Sequence, residues 1–117
     1  GGSLGKLAER LRWELEYREK SFVIAAAAER GLPLPSWAKN EPELLPGDQF
    51  FISAFYELST CRSVGWSAGP IPWRDIVLYG QFHELEPDVL RLFIAVMMAM
   101  DDVYLKWEAK RKPQNGS

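Results

Sequence analysis

The chain has 117 residues, 47% hydrophobic and 26% charged, a composition typical of one globular domain with its own core. The formal net charge of -2 excludes recruitment of nucleic acid or of an acidic membrane by a global basic field. The single cysteine, Cys61, excludes an intramolecular disulfide. No signal peptide is visible and no apolar run is long enough to span a bilayer, so we expect neither export nor a membrane partner.

The predicted organisation is an all-α domain over residues 4–112. Two long helices, 4–30 and 87–112, pack against each other, and two shorter helices, 48–61 and 72–84, cover the seam between them. Loops rich in proline and glycine join the four helices. Residues 1–3 are interpreted as an expression remnant, and residues 113–117 are predicted to form a disordered tail.

The first predicted helix, Leu4 to Arg30, carries apolar residues at helical spacing along one face. These residues are Leu4, Leu7, Ala8, Leu11, Leu15, Phe22 and Ala26. Gly31 is suited to the position after the last turn, where a left-handed backbone conformation is common, and Pro33 prevents continuation. A helix of this length spans roughly 40 Å, more than a compact domain of this size needs. We therefore expect part of it to project or to pair with a second copy, which would give a homo-oligomer.

The loop from Leu32 to Gly47 holds Trp37 among several prolines. A tryptophan in such a loop either anchors the loop to the core or contacts a partner, and we expect an anchor. Asp48 follows Pro46 and Gly47 and is the predicted N-cap of the next helix, 48–61. Phe51, Phe55 and Leu58 of that helix are expected to face the last helix.

The connector that follows, Cys61 to Pro72, is rich in glycine and has no regular period. A short helix, 72–84, comes next, and the last helix runs from Pro87 to Lys112. The apolar stripe of the last helix steps by four and three residues, which is the period of an amphipathic helix. It consists of Val89, Phe93, Val96, Met100, Val103 and Trp107, with Leu90, Met97 and Tyr104 beside it.

The residues that could carry chemistry are few, and the sequence predicts neither an enzyme, a cofactor nor a metal site. His83 is the only histidine and has no neighbouring ligand set. Cys61 is interpreted as a small buried hydrophobic residue rather than as a nucleophile. Asp101 either lies at the surface or turns inward and accepts backbone N–H groups of the connector. Its neighbour Asp102 is spaced to pair with Lys106 on the helix surface.

Three stretches together resemble small proteins of tailed bacteriophages and prophages. They are Leu44-Leu45-Pro46-Gly47-Asp48 running on to Ala54-Phe55-Tyr56-Glu57-Leu58-Ser59-Thr60-Cys61-Arg62, then Gly69-Pro70-Ile71-Pro72-Trp73, and finally Ala99-Met100-Asp101-Asp102-Val103-Tyr104-Leu105-Lys106-Trp107. The resemblance covers about residues 44–107. It is to proteins of the tail-morphogenesis region, regarded as tail assembly chaperone-like, and it implies a protein that acts in the cytoplasm of a bacterial host.

The resemblance implies that the chain binds tail or tape-measure proteins during assembly and then leaves, without a cofactor. Hydrophobic capture through aromatic and methionine side chains is the mechanism we expect. The predicted contact residues are Tyr56, Trp66, Trp73 and Met98. Two alternatives are a structural component of the virion, such as a head–tail adaptor, and a phage effector that binds a host protein.

Overall fold

The computed structural model describes residues 2–63, 65 and 68–111, with side chains from residue 5 onward. Six α-helices and no β-strand occur in this described part, which confirms the all-α prediction. The helices are α1 (Gly2–Glu19), α2 (Ser21–Glu29), α3 (Ser36–Lys39), α4 (Asp48–Leu58), α5 (Trp73–Phe82) and α6 (Pro87–Arg111), and a 3-10 turn, Ser59–Cys61, extends α4. The predicted last residue of the final helix, Lys112, and the predicted tail 113–117 lie outside the described residues.

The two longest helices, α1 and α6, pack side by side and run in the same direction. Arg12 and Glu16 border the same groove as Val103 and Lys110, and farther along both helices Glu19 lies 3.9 Å from Arg111. The core between α1, α4, α5 and α6 consists almost entirely of apolar side chains. Its buried members include Leu7, Leu11, Leu15, Ile52, Ala54, Phe55, Leu58, Ile71, Ile76, Phe93, Val96, Met97 and Met100.

The prediction of one helix over 4–30 is wrong, because the chain bends at Lys20 between α1 and α2. Lys20 has φ -105° and ψ 16°, outside the helical region. Leu15 faces α6, whereas the only buried residue of α2, Ile24, would lie on the opposite face of a straight helix. α6 is last described at Arg111, beside Glu19, so residues after the bend have no described α6 turn to pack against.

The segment between α2 and α4 runs back along α1. It contains Trp37, which is the predicted structural anchor. The indole Nε1 of Trp13 donates to the backbone carbonyl of Trp37 at 3.0 Å. The Trp37 ring lies edge-on to Tyr17 and 5.3 Å from the Lys20 ammonium, which favours a cation–π contact. A short helix, α3, which the sequence did not predict, carries this tryptophan.

The turn before α4 differs in one detail from the prediction that Asp48 is the N-cap. Gly47, at φ +91°, precedes the helix, and Asp48 is the first helical residue. The Asp48 carboxylate accepts the N–H of Leu45 at 2.9 Å and so closes the preceding turn. The predicted orientation of α4 is confirmed, since Phe51 stacks on Phe93 of α6 at 6.2 Å between ring centroids.

Two helices end in the same hydrogen-bonded arrangement, the Schellman motif. After α2, the N–H of Leu32 donates to the carbonyl of Ala27, and Gly31 has φ +69°, as predicted for Gly31. After α5, the N–H of Leu85 donates to the carbonyl of Gly80, but the left-handed position is held by Glu84, at φ +57°. A side chain with a Cβ is strained there.

Replacing Glu84 with glycine is therefore expected to raise the free energy of unfolding by up to about 1 kcal/mol, because glycine adopts positive φ without steric cost. The matched variant is Gly31→Ala, expected to lower it by about 1 kcal/mol. A Cβ at Gly31 would meet no atom within 4 Å, so only the backbone conformation is tested. Chemical denaturation measures both, and the same sign for the two variants would contradict the assigned geometry.

The surface positions of three apolar residues correct the sequence interpretation. Phe22 and Val89 belong to predicted packing stripes but are exposed, because no neighbouring helix among the described residues covers them. Cys61 was predicted to be buried and is exposed in the 3-10 turn. Cys61 is the last residue of the 3-10 turn, which contains no buried residue, and it lies beyond Leu58, the last buried residue of α4.

Candidate partner-binding surface

A buried ion pair fixes the connector to α6 and so sets where α5 begins. The Arg62 Nη1 donates to Asp101 Oδ1 at 2.7 Å, and the backbone N–H of Ile71 donates to Asp101 Oδ2 at 3.0 Å. The two side chains are 6% and 9% exposed. Asp101 thus follows the inward alternative of the sequence analysis, and Asp102 forms the predicted surface pair with Lys106 at 3.0 Å.

Arg62 holds both ends of the connector through further contacts. Its Nη1 also donates to the carbonyl of Gly69 at 3.0 Å, and its Nη2 donates to the hydroxyl of Ser59 at 3.0 Å. The guanidinium carbon lies 4.2 Å from the centroid of the Tyr104 ring. A planar guanidinium satisfies several acceptors and an aromatic face at once, which a lysine could not do. Ile71 and Pro72 are thereby placed so that α5 starts directly against α6.

Close approach of α5 to α6 requires a glycine at position 80. A Cβ at Gly80 would overlap the Leu90 side chain of α6 and touch Leu85 and Phe93. One face of α5 is therefore sealed against α6, while Tyr79 stacks on Phe93 at 5.7 Å between ring centroids. The outer face of α5 is left to solvent.

Large apolar side chains lie exposed on α5 and on the first half of α6. We name this set of exposed side chains the α5–α6 surface; its residues are Trp73, Leu78, Phe82, Val89, Leu92 and Met98. Trp73 and Phe82, like Val89 and Met98, are nine positions apart and so lie on opposite sides of their helices, and the set surrounds the helix pair rather than forming one face. Leu78 and Phe82 are one turn apart on α5, and Phe82 is 80% exposed. Several exposed apolar residues on adjacent elements are characteristic of a surface that contacts another protein.

Two of the four predicted contact residues fall on this surface, since Trp73 is 60% exposed and Met98 54% exposed. Tyr56 does not, because it lies half-buried on α4 against α1. Trp66 lies outside the described residues. The structure thus brings Trp73 and Met98 to one helical pair and separates Tyr56 from them; whether any of them binds a partner stays a prediction.

Tyr56 has an intramolecular role in the fold. Its hydroxyl donates to the Glu14 carboxylate at 3.0 Å, and the Arg18 guanidinium lies 4.5 Å from its ring centroid. Burial, together with the nearby Glu14 carboxylate, raises the pKa of Tyr56 to about 12. The hydroxyl is therefore protonated at neutral pH and can serve as the donor that joins α4 to α1.

Tyr79 plays the same part between α5 and α4. Its hydroxyl donates to the Glu57 carboxylate. Burial, followed by the hydrogen bond to Glu57, raises the pKa of Tyr79 to about 12. Both tyrosines thus tie neighbouring helices together, which is a structural use of the polar end of an aromatic side chain.

A groove of about 380 Å³ runs between α1, α4 and α6. Tyr104 and Trp107 form its apolar wall, and Arg18 and Arg111 lie along it. Among the described residues, no group of three His, Cys, Asp or Glu side chains is placed to hold a metal ion. None of the described helices is long and apolar enough to cross a membrane.

Sequence reasoning missed four members of the α5–α6 surface: Leu78, Phe82, Val89 and Leu92. The sequence interpretation placed Trp73, Ile76, Val77 and Gly80 on one side of α5, with Tyr79 and Phe82 beside them. Leu78 and Phe82 form a second apolar pair four residues apart on the face opposite Ile76 and Gly80, and this pattern is readable from the sequence. An apolar pair on both faces of a short helix would have indicated a partner on each side.

An all-α fold with an exposed apolar surface is typical of helical proteins that act by binding other proteins. A family model described as phage tail assembly chaperone matches residues 27–106. The match covers more than half of the chain, and the protein belongs to the phage tail assembly chaperone family. No curated protein and no solved structure matches it.

Proposed function

We propose that this chaperone binds an apolar segment of a tail protein or of the tape-measure protein during tail morphogenesis in the host cytoplasm, and that the α5–α6 surface makes the contact. Family membership supports a role in tail assembly. The observation that supports the site is the exposure of apolar side chains along α5 and the start of α6. A function based on contact requires protein partners and needs neither catalysis nor a cofactor.

The matched segment and the site support each other. Residues 27–106 contain the whole α5–α6 surface, together with Arg62 and Asp101, which position the start of α5. The exposed side chains sit on helices that the core holds rigidly, through Gly80 and the Tyr79–Phe93 stack. A rigid apolar face loses little conformational freedom on binding and so favours capture of a flexible apolar segment.

Phe82→Asp is expected to weaken binding of the client at least tenfold, because a charge placed in an apolar contact must lose its hydration. The control is Phe22→Asp on α2. Phe22 is 83% exposed and Phe82 is 80% exposed, so the two changes are matched in residue type and accessibility. Biolayer interferometry with the purified tape-measure and tube proteins of the same genome measures the affinities.

Two results would contradict the proposal. The first is no association of the unaltered chain with any of these tail proteins at micromolar concentration. The second is an equal loss of affinity for the Phe22 control and the α5 variant, which would remove the assignment to the α5–α6 surface. Mass spectrometry of purified particles separates a chaperone, which leaves, from a virion component, which is retained.

A further inference from the structure

The charges of this chain are divided unevenly along the sequence. Residues 41–90 carry eight aspartates and glutamates but only two arginines, a net charge of -6, whereas the whole chain carries -2. One of the two arginines, Arg62, is buried in its ion pair with Asp101, and the other is Arg74. Helix α4 contains no lysine or arginine. The part of the molecule that holds α4 and α5 is therefore acidic, and the rest of the chain is basic.

Two exposed apolar side chains lie in this acidic part, on one side of α5. Leu78 and Phe82 are four positions apart, and they are 54% and 80% exposed. We name these two side chains the outer α5 face. Ile76 and Gly80, on the opposite side of the helix, are buried, so the outer α5 face points away from the core. Arg74 lies about 12 Å along the helix axis from Phe82, toward the start of α5.

Exposed carboxylates lie beside the outer α5 face. Glu84 and Glu86 follow Phe82 by two and four residues, so their Cα atoms are at most about 8 Å and about 15 Å from that of Phe82. Both side chains are exposed, and neither forms an ion pair within the described part of the chain. Arg91 of α6 lies 3.8 Å from Asp88. The two glutamates are therefore available to a partner.

We propose that the outer α5 face binds a client segment in which lysine or arginine side chains flank the apolar ones. The inference rests on the proposed function, because it gives the chemistry of the segment that the chaperone binds. The apolar side chains of the segment cover Leu78 and Phe82, and its cations lie beside Glu84 and Glu86. An acidic segment would instead bring like charges together, which costs free energy.

The two kinds of contact respond differently to salt. Attraction between exposed charges is screened over about 8 Å at physiological ionic strength and acts mainly on the rate of association and on the choice of partner. The apolar contact with Leu78 and Phe82 does not depend on charge. We therefore expect salt to weaken the binding without abolishing it.

Two synthetic helical peptides test the preference with the full chain. Both carry the same face of leucines, and they differ only in having lysine or glutamate at the remaining positions. The lysine peptide is expected to bind about tenfold more tightly than the glutamate peptide, and the difference is expected to shrink as salt is added. Fluorescence anisotropy measures both affinities. Equal affinities for the two peptides, or a difference that salt does not change, would overturn the proposal.

Neutral variants locate the preference on the molecule. Glu84→Gln/Glu86→Gln is expected to weaken binding of the lysine peptide about fivefold. The matched control is Glu9→Gln/Glu29→Gln, which changes the net charge by the same amount at two exposed glutamates outside the acidic part and is expected to leave the affinity unchanged. Circular dichroism checks that both double variants keep their helices. An equal loss in the two double variants would overturn the assignment to the outer α5 face.

Tail proteins separate this inference from the proposed function. If the tape-measure or tube protein binds and loses affinity with Phe82→Asp but not with Glu84→Gln/Glu86→Gln, the proposed function stands and the preference for cations is overturned. If the lysine peptide behaves as expected but no tail protein binds, the preference stands and the proposed function fails. Self-association of the unaltered chain in sedimentation velocity, lost in Glu84→Gln/Glu86→Gln, would assign the face to the basic part of a second copy and overturn the proposal.

Discussion

Asp101→Asn is expected to lower the free energy of unfolding by about 3 kcal/mol, because it leaves the Arg62 guanidinium buried without its counter-charge. Asparagine keeps one oxygen, which can accept the Ile71 N–H, but its NH2 group then faces the Arg62 Nη1 donor, so the change removes both the charge and the acceptor for Arg62. Urea denaturation measures the effect, and hydrogen exchange of the Ile71 amide reports whether the connector opens locally.

The adjacent aspartate supplies the control for this experiment. Asp102 pairs with Lys106 at 3.0 Å, but their side chains are 62% and 73% exposed. An exposed pair contributes little, so Asp102→Asn is expected to change the free energy of unfolding by less than about 0.5 kcal/mol. Equal effects of the two substitutions would contradict the difference in burial on which the role of Asp101 rests.

The double variant Arg62→Met/Asp101→Asn separates charge from packing. Arg62→Met alone leaves a buried carboxylate without a cation, whereas the double variant buries no charge in the pair. The double variant is therefore expected to be more stable than Arg62→Met. A double variant that loses the sum of both single effects would show that the two side chains do not act as a pair.

Phe93→Ala is expected to lower the free energy of unfolding by about 3–5 kcal/mol, the range for removal of a buried aromatic ring. Phe93 is fully buried, and its ring lies 5.7 Å from Phe50 and 5.7 Å from Tyr79 between centroids. Alanine would leave a cavity where α4, α5 and α6 meet. Thermal and chemical denaturation measure the loss, and near-UV circular dichroism is expected to report the disturbed Tyr79 ring.

Phe82→Ala is the matched control, because the same ring is removed from a site that is 80% exposed. It is expected to change the free energy of unfolding by less than about 0.5 kcal/mol. A large loss for Phe82→Ala would mean that Phe82 is covered in solution and would contradict its place on the α5–α6 surface. A small loss for Phe93→Ala would contradict the position of Phe93 at the centre of the core.

The candidate site could be predicted from the sequence only in part. Met98 was identified as a contact residue because it lies near the edge of the stripe of the last helix, and Trp73 was identified as an aromatic contact residue. Tyr56 was assigned to the same group, but its hydroxyl is used internally by Glu14. A tyrosine and a glutamate that are 42 positions apart in the chain give no local signal of their contact.

Asp101 is a second residue whose contacts cannot be predicted from local sequence spacing. Asp101 and Asp102 are neighbours of one residue type on one helix, and both interpretations of Asp101 were open from spacing alone. The connector decides between them, since Arg62 and the Ile71 N–H approach α6 on the side where Asp101 points. Burial of a carboxylate is stable only where such donors converge, and they come from 30 and 39 positions away.

The sequence by itself determined the elements whose causes are local. Hydrophobic period and proline and glycine positions predicted the helices that formed as α4, α5 and α6, and Gly31 ends α2 because glycine adopts positive φ there. Tertiary structure alone decided the bend at Lys20, the exposure of Phe22 and Cys61, and the burial of Asp101. An apolar stripe indicates that a helix face can be buried, but the length of the neighbouring helix determines how much of that face is covered.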